Sequence, residues 1–233
     1  MNTRTKSLAI VLSTFMLVAC NAWSQFAEAP PVRVPAATNA PSLEKVAGTD
    51  TLVVAGGCFW GVQAVFQHVH GVRKVVSGYA GGERASASYR QVSSGMTGHA
   101  ESVEITFDPA QVSITDLLRV YFSVAHNPIE VNRQGPDEGS QYRSAVFYHN
   151  DNQRRLTESY IAQLNGTHLF AAPIATQVNE LRGFYAAENY HQDYATLHPE
   201  SSYISHFDLP KLQHLKALFP ELYQEKPVLV GTR

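Results

Sequence analysis

The sequence predicts an α/β fold, one mixed sheet covered by helices, and three observations predict it. Short apolar runs suited to strands alternate with segments whose apolar residues recur at helical spacing. Gly, Pro, Asn and Asp punctuate the joins between them. No internal repeat is visible, and the roughly two hundred residues left after an N-terminal leader suffice for one core.

The leader comes first. Arg4 and Lys6 precede an apolar stretch from Leu8 to Ala19, too short to span a bilayer, which reads as a secretory signal over residues 1–19. Its end, Leu17-Val18-Ala19-Cys20, resembles a bacterial lipobox, in which the cysteine carries diacylglycerol and becomes the first mature residue. Acyl chains add membrane affinity of about 0.8 kcal/mol per buried methylene, so a multiply acylated Cys20 would hold firmly. Asn21 after the cysteine, by resemblance to sorted lipoproteins, points to the outer membrane, facing the periplasm of a bacterial cell envelope. The alternative is a soluble periplasmic protein whose signal is cut between Asn21 and Ala29. Residues 20–49, rich in Ala, Pro, Ser and Asn, read as a tether with too few large apolar groups to offset its ordering entropy. The catalytic domain is then 50–233.

Within that domain Leu52 to Ala55 forms an unbroken apolar run suited to a strand buried on both faces. Val62, Val65 and Phe66 follow at helical spacing, so Cys58 opens a helix directly after Gly56 and Gly57. Val72 to Ser77 is a second strand, with Gly78 to Gly82 leading into a loop. From Ala100 to Phe107, alternation puts Glu101, Val103, Ile105 and Phe107 on one face. Ser113 and Asp116 have capping-box spacing for a helix burying Ile114, Leu117, Leu118, Tyr121 and Phe122. The polar stretch from His126 to Gln141 is a long loop, of the kind that is usually functional or disordered. Ser144 to Tyr148 is a strand, Asp151 to Leu164 a helix, Ile174 to Val178 a further strand, and a last helix after Asp208-Leu209-Pro210 buries Leu212, Leu215, Leu218 and Phe219.

Composition excludes several classes. The formal net charge is −2 and no basic run tracks a phosphate backbone, so nucleic acid is not an expected partner. Two cysteines without a Cys-x-x-Cys pair build neither a disulfide framework nor a zinc site. His68-x-His70 lacks further ligands and reads as a solvated helix end. His99-Ala100-Glu101 matches half of a zinc-deaminase signature whose Pro-Cys-x-x-Cys half is missing.

Chemistry therefore centres on Cys58. A cysteine at a helix start, beside unpaired amides, tends toward a lowered pKa and nucleophilic use. The competing reading, a buried cysteine acting as a small hydrophobe, sits less well with two flanking glycines and two large aromatics. Glu101 is the second candidate: a carboxylate in line with apolar side chains is desolvated and tends to stay protonated, and an ordinary strand-end carboxylate is the alternative. His191 is the best candidate base for a Cys-His hydrolase. Tyr89, Tyr142, Tyr190, Tyr194 and Tyr203 either bind a polar oxygen or pack.

Taken together, Gly56-Gly57-Cys58-Phe59-Trp60-Gly61, Gly78-Tyr79-Ala80-Gly81-Gly82, Gly98-His99-Ala100-Glu101, Asn132-Arg133-Gln134-Gly135, Asp137 with Gly139, Gln141-Tyr142-Arg143-Ser144 and Tyr190-His191-Gln192 resemble peptide methionine sulfoxide reductases of the A type, over about Thr51 to Tyr223. The resemblance implies a ferredoxin-like α/β roll and reduction of the S epimer of methionine sulfoxide, in proteins and free. It makes Cys58 the nucleophile and Glu101 the acid, with Tyr89 and Tyr142 holding the sulfoxide oxygen. Phe59 and Trp60 wall the methyl pocket, and Asp137 positions substrate and solvent. It further implies no bound cofactor and no metal. Helix start and apolar walls push the Cys58 thiol in opposite directions, so the resting Cys58–Glu101 pair is expected to share one proton. Many relatives carry resolving cysteines, but no cysteine follows Cys58, and Tyr203-Ile204-Ser205-His206 with Asp208-Leu209-Pro210-Lys211 resembles the single-cysteine branch. An external thiol, of thioredoxin-like or glutathione/glutaredoxin type, would then reduce the sulfenic acid; a free Cys20 is the alternative, which lipidation of its sulfur would remove. Relatives often show His-Asp-Pro-Thr where this chain has His126-Asn127-Pro128-Ile129. Other classes left open by the residues are a peroxide-reducing or acyl-transferring thiol enzyme and a non-catalytic envelope lipoprotein.

Overall fold

The computed structural model describes residues 31–39 and 48–231. Cys20, the leader and most of the tether lie outside the described residues.

The elements run β1 (Asp50–Ala55), α1 (Phe59–Gln67), β2 (Val72–Ala80), α2 (Tyr89–Val92), β3 (Ala100–Phe107), α3 (Ile114–Val120), β4 (Arg133–Gln134), β5 (Asp137–Glu138), β6 (Ala145–Tyr148), α4 (Asp151–Thr167), β7 (Gln177–Glu180), β8 (Phe184–Ala186), α5 (Tyr194–Leu197) and α6 (Leu209–Leu218). Six strands form one mixed sheet in the order β7-β6-β1-β3-β2-β8, antiparallel except for the parallel β6–β7 pair. The crossover β1-α1-β2 brackets β3, and β3-α3-β6 brackets β1, which is the interleaved arrangement expected of a ferredoxin-like roll. The sheet and helices agree with the fold class read from the sequence.

Alternation along the strands divides the sheet into two faces. One carries Leu52, Val54, Val103, Ile105 and Phe107, packed against Phe59, Val62 and Phe66 of α1, Leu117 and Leu118 of α3, Tyr160 of α4 and Leu215 of α6. The other is lined by Val53, Ala55, Ala80, Ala100, Ala145 and Phe147 under Leu181 and Phe184. The predicted capping box exists: Asp116 N donates to Ser113 Oγ at 3.1 Å, and Ser113 N to Asp116 Oδ2 at 3.2 Å.

Four expectations are corrected. Gly78, Tyr79 and Ala80 continue β2 rather than leaving it, because they pair with Ser102, Glu101 and Ala100. The strand placed at 174–178 is shifted to Gln177–Glu180, where it can pair with β6. His68 is buried instead of solvated: its Nδ1 lies 2.8 Å from Ala64 O and its ring stacks on Tyr223. The stretch read as a tether is docked over residues 31–39. Val34 is fully buried, Val34 N donates to Ser123 Oγ at 3.1 Å, Tyr160 Oη donates to Pro35 O at 2.6 Å, and Arg33 pairs with Glu221 at 2.7 Å. Composition missed this because one valine in a preformed socket needs no amphipathic pattern. Removing two buried methyl groups costs about 1–2 kcal/mol. Val34→Ala is accordingly expected to lower the melting temperature by roughly 2–8 °C, read by thermal denaturation.

Candidate active site

Topology brings the candidates to one end of the sheet. β1 and β2 both run antiparallel to β3, so the ends of β1 and β2 and the start of β3 share an edge. Cys58 follows β1, Tyr89 follows β2, Glu101 begins β3, and Asp137 and Tyr142 precede β6, whose first residue Ala145 pairs with Ala55.

The turn that carries Cys58 requires glycine. Gly57 has φ +85°, and a Cβ there would lie 2.6 Å from Gln134 Cβ. Gly57→Ala meets both penalties, and a loss of roughly 2 kcal/mol or more in chemical denaturation is expected. A Cβ on Gly61, one turn further, would lie 2.0 Å from Asp208 Oδ1. The bare backbone at Gly61 thus admits the buried Asp208–Lys211 pair, with Nζ 3.3 Å from Oδ1, against the first turn of α1.

Cys58 is the N-cap of α1 and half-buried. The first free amide of that helix goes to the carboxyl: Phe59 N donates to Glu101 Oε2 at 3.2 Å. Glu101 is 2% exposed, which excludes the strand-end alternative. Burial pushes its pKa up to about 8, against the pull of the Phe59 amide and with a further push from Asp137. Burial likewise raises the Cys58 thiol well above its ordinary value, with Glu101 and then Asp208 adding to the rise and the Trp60 amide opposing it. Two expectations are corrected here. The helix start does not lower the thiol pKa, because desolvation outweighs one amide dipole, and at neutral pH the resting pair holds two protons rather than one.

Glu101 is protonated in both folded and unfolded chains below its ordinary value of 4.5, but between there and about 8 only the unfolded chain ionises. Stability is therefore lost as pH rises across that window. Glu101→Gln removes this dependence, so its melting temperature relative to wild type is expected to be higher at pH 8.5 than at pH 4.5.

Around the pair stands an aromatic wall. Phe59 is buried, tilted against His191 at 5.0 Å and Tyr79 at 5.9 Å. Trp60 stacks on Tyr194 at 3.9 Å and meets the edge of Tyr203 at 6.0 Å. His191 is not poised as a base for the thiol. Its Nδ1 accepts from Trp60 Nε1 at 3.1 Å, its ring packs 4.4 Å from Tyr89, and burial lowers its pKa, so it holds the wall as a neutral ring.

Tyr89 and Tyr142 are half-buried, and both phenols are held protonated, first by burial and next by the charge of Glu101. Asp137, presented by the β4–β5 hairpin, accepts from Tyr203 Oη, and burial raises its pKa. The long loop is ordered from its start. Asn127 N donates to Gln134 Oε1 at 2.9 Å and Gln134 Nε2 to Asn127 O at 2.7 Å, using main-chain groups that an aspartate there would offer equally. His126 is buried and neutral, its pKa lowered to about 3 by burial, with Nε2 2.7 Å from Ser144 Oγ.

Reasoning from sequence missed Glu188, and it read Asp208 and Lys211 only as part of a tail motif, not as a buried pair under the site. Glu188 ties the site together, accepting from Tyr79 Oη at 2.9 Å and Tyr89 N at 3.0 Å. No local pattern marks it, since its partners lie 109 and 99 residues away. Among the described residues no group of three or more His, Cys, Asp or Glu side chains is placed to hold a metal ion.

The arrangement joins one thiol, one neutral buried acid and two phenols within an aromatic wall. Such a site offers a nucleophile, protons for an oxygen leaving group and an apolar surface for a methyl group. Comparison with known proteins points the same way. The family model for peptide methionine sulfoxide reductase matches residues 50–221. A peptide methionine sulfoxide reductase, MsrA 2, of Mesorhizobium japonicum is 59% identical over 188 residues, 80% of this chain and 96% of that protein. Its namesake from Synechocystis is 49% identical over 75% of this chain and 81% of that one. Among solved structures, methionine sulfoxide reductase A of Corynebacterium diphtheriae superposes with a TM-score of 0.55 at 31% identity, covering 74% of this chain and 87% of that one. Reduced Mxr1 of Saccharomyces cerevisiae gives a TM-score of 0.57 at 28% identity, over 70% and 92%. The match across nearly the whole folded body, with a thiol, acid and phenols meeting at one end of the sheet, makes this chain a member of the peptide methionine sulfoxide reductase family, an enzyme that reduces methionine sulfoxide to methionine.

Proposed function

We propose that Cys58 attacks the sulfur of the S epimer of methionine sulfoxide while Glu101 supplies a proton to its oxygen. The observation that carries this reading is the juxtaposition of a neutral, buried Glu101 with the thiol-bearing N-terminus of α1. As Sγ bonds to the substrate sulfur, the S–O bond breaks. The two protons held by the resting thiol and acid leave with the oxygen as water. A water molecule then adds to the Cys58 sulfur, releasing the thioether, leaving a sulfenic acid on Cys58 and returning a proton to Glu101. Tyr89 and Tyr142 hydrogen-bond the oxygen as charge builds there, Phe59 and Trp60 enclose the methyl group, and Asp137 orients substrate and solvent.

No cysteine follows Cys58, so an external thiol reductant, of thioredoxin-like or glutathione/glutaredoxin type, removes the sulfenic oxygen as water. Without reductant, one equivalent of methionine per protein is expected, with dimedone trapping one sulfenic acid on Cys58. More than one equivalent, or no adduct, would contradict this. A racemic methionyl sulfoxide peptide supplied with a dithiol should lose one epimer only, and loss of both would overturn the assignment of the S form.

The lipobox-like Leu17-Val18-Ala19-Cys20 supports an outer-membrane lipoprotein facing the periplasm, held through lipidated Cys20, with oxidised envelope proteins and peptides as substrates. Mass spectrometry of the mature N-terminus tests this, and an unmodified terminus beyond Cys20 would replace it with a soluble periplasmic protein.

A further inference from the structure

Met96 is the methionine of the folded body, and the residue is 87% exposed. It sits between two arms of the site, in the turn from α2, which carries Tyr89, to β3, which begins beside Glu101. The turn is pinned on both flanks. Ser140 Oγ donates to Gly95 O at 2.7 Å, and Arg143 Nη2 donates to Gly98 O at 2.8 Å. Gly95 and Gly98 adopt φ +73° and +77°, which hold the turn tight. Met96 is thereby fixed at the tip of a turn whose neighbours Ser94, Gly95, Thr97 and Gly98 are small.

We propose that Met96 is a modification site: a peroxide oxidises its thioether, and a second copy of this chain reduces the resulting sulfoxide. In the first step the thioether sulfur takes the terminal oxygen of the peroxide, whose O–O bond breaks and which leaves as water or an alcohol. In the second, Cys58 of the other copy removes that oxygen through its sulfenic acid, and an external dithiol restores the thiol with release of water. Exposure gives the oxidant access, and the small flanking residues leave room for another molecule's aromatic wall to close over the side chain. The pinned turn holds Met96 at the surface, where a second molecule can reach it. This inference rests on the reading of Cys58 as the sulfoxide-reducing thiol.

The test uses isotopically labelled Cys58→Ser protein, treated with hydrogen peroxide and then freed of it. It is incubated with unlabelled wild-type protein, dithiothreitol and a methionyl sulfoxide peptide, and the Met96 peptide is followed by mass spectrometry. Peroxide should convert Met96 at concentrations that oxidise N-acetylmethionine, and about half of the sulfoxide, one epimer, should then disappear. Resistance of Met96 to peroxide, or persistence of all its sulfoxide while the peptide is reduced, overturns the inference and leaves the reading of Cys58 standing. Failure to reduce the peptide overturns both. In oxidised wild-type protein the initial rate of repair should fall fourfold on twofold dilution, and a merely twofold fall would show repair within one molecule and overturn the second-copy step.

Discussion

Cys58→Ser is expected to lose sulfoxide reduction by at least about 10⁴-fold in kcat, with an unchanged circular dichroism spectrum. The reaction requires a soft, polarisable atom that bonds to sulfur and then carries oxygen as a sulfenic acid, and a serine hydroxyl can do neither. The substitution exchanges one atom of a half-buried N-cap residue that makes no side-chain capping bond, so the fold has little reason to change. Turnover is measured on a methionyl sulfoxide peptide with a dithiol, separating the product by chromatography. Retention of more than a few per cent of wild-type turnover would remove Cys58 from the mechanism.

Removing the acid ranks second. Glu101→Leu is expected to cost about 10²–10⁴-fold in kcat/KM, the usual worth of a positioned general acid. Glu101→Gln should cost less, because an amide still donates a hydrogen bond to the sulfoxide oxygen although it releases no proton. The pH profile discriminates further. Glu101 must be protonated to act, so kcat/KM of the wild type should hold below pH 8 and fall as pH rises through the carboxyl's pKa of about 8. In Glu101→Gln that fall should be absent. A wild-type profile unchanged up to pH 9.5, or equal activity of wild type, Gln and Leu forms, would rule out this acid.

The fold was legible wherever local pattern and tertiary demand coincide. The apolar run of β1, the alternation of β3 and the Ser113–Asp116 cap each carry their own signal within one element. The helix after Cys58 was legible in position but not in environment. Gln63 and Gln67 look like a solvent face, yet both are buried: Gln63 Nε2 donates to Val75 O at 3.0 Å, and Gln67 Nε2 to Asp193 Oδ1 at 2.6 Å. The segment that covers them begins more than a hundred residues later, beyond the reach of any periodicity.

The site divides along the same line. Residue order alone named the thiol, the acid and the flanking aromatics as candidates and pointed to an outside reductant, because those readings depend on which side chains exist and in what motifs they occur. The protonation state did not follow from order. A helix N-terminus argues for a thiolate, and only the packing of Glu101, Asp208 and the aromatic wall around Cys58 shows that desolvation prevails over the amide dipole and keeps both groups neutral. Glu188, the docked Val34 and the Asp208–Lys211 pair beneath Gly61 likewise emerged only in three dimensions. Chemical identity is a property of each residue, whereas charge state and contact are properties of the space that distant segments close around it.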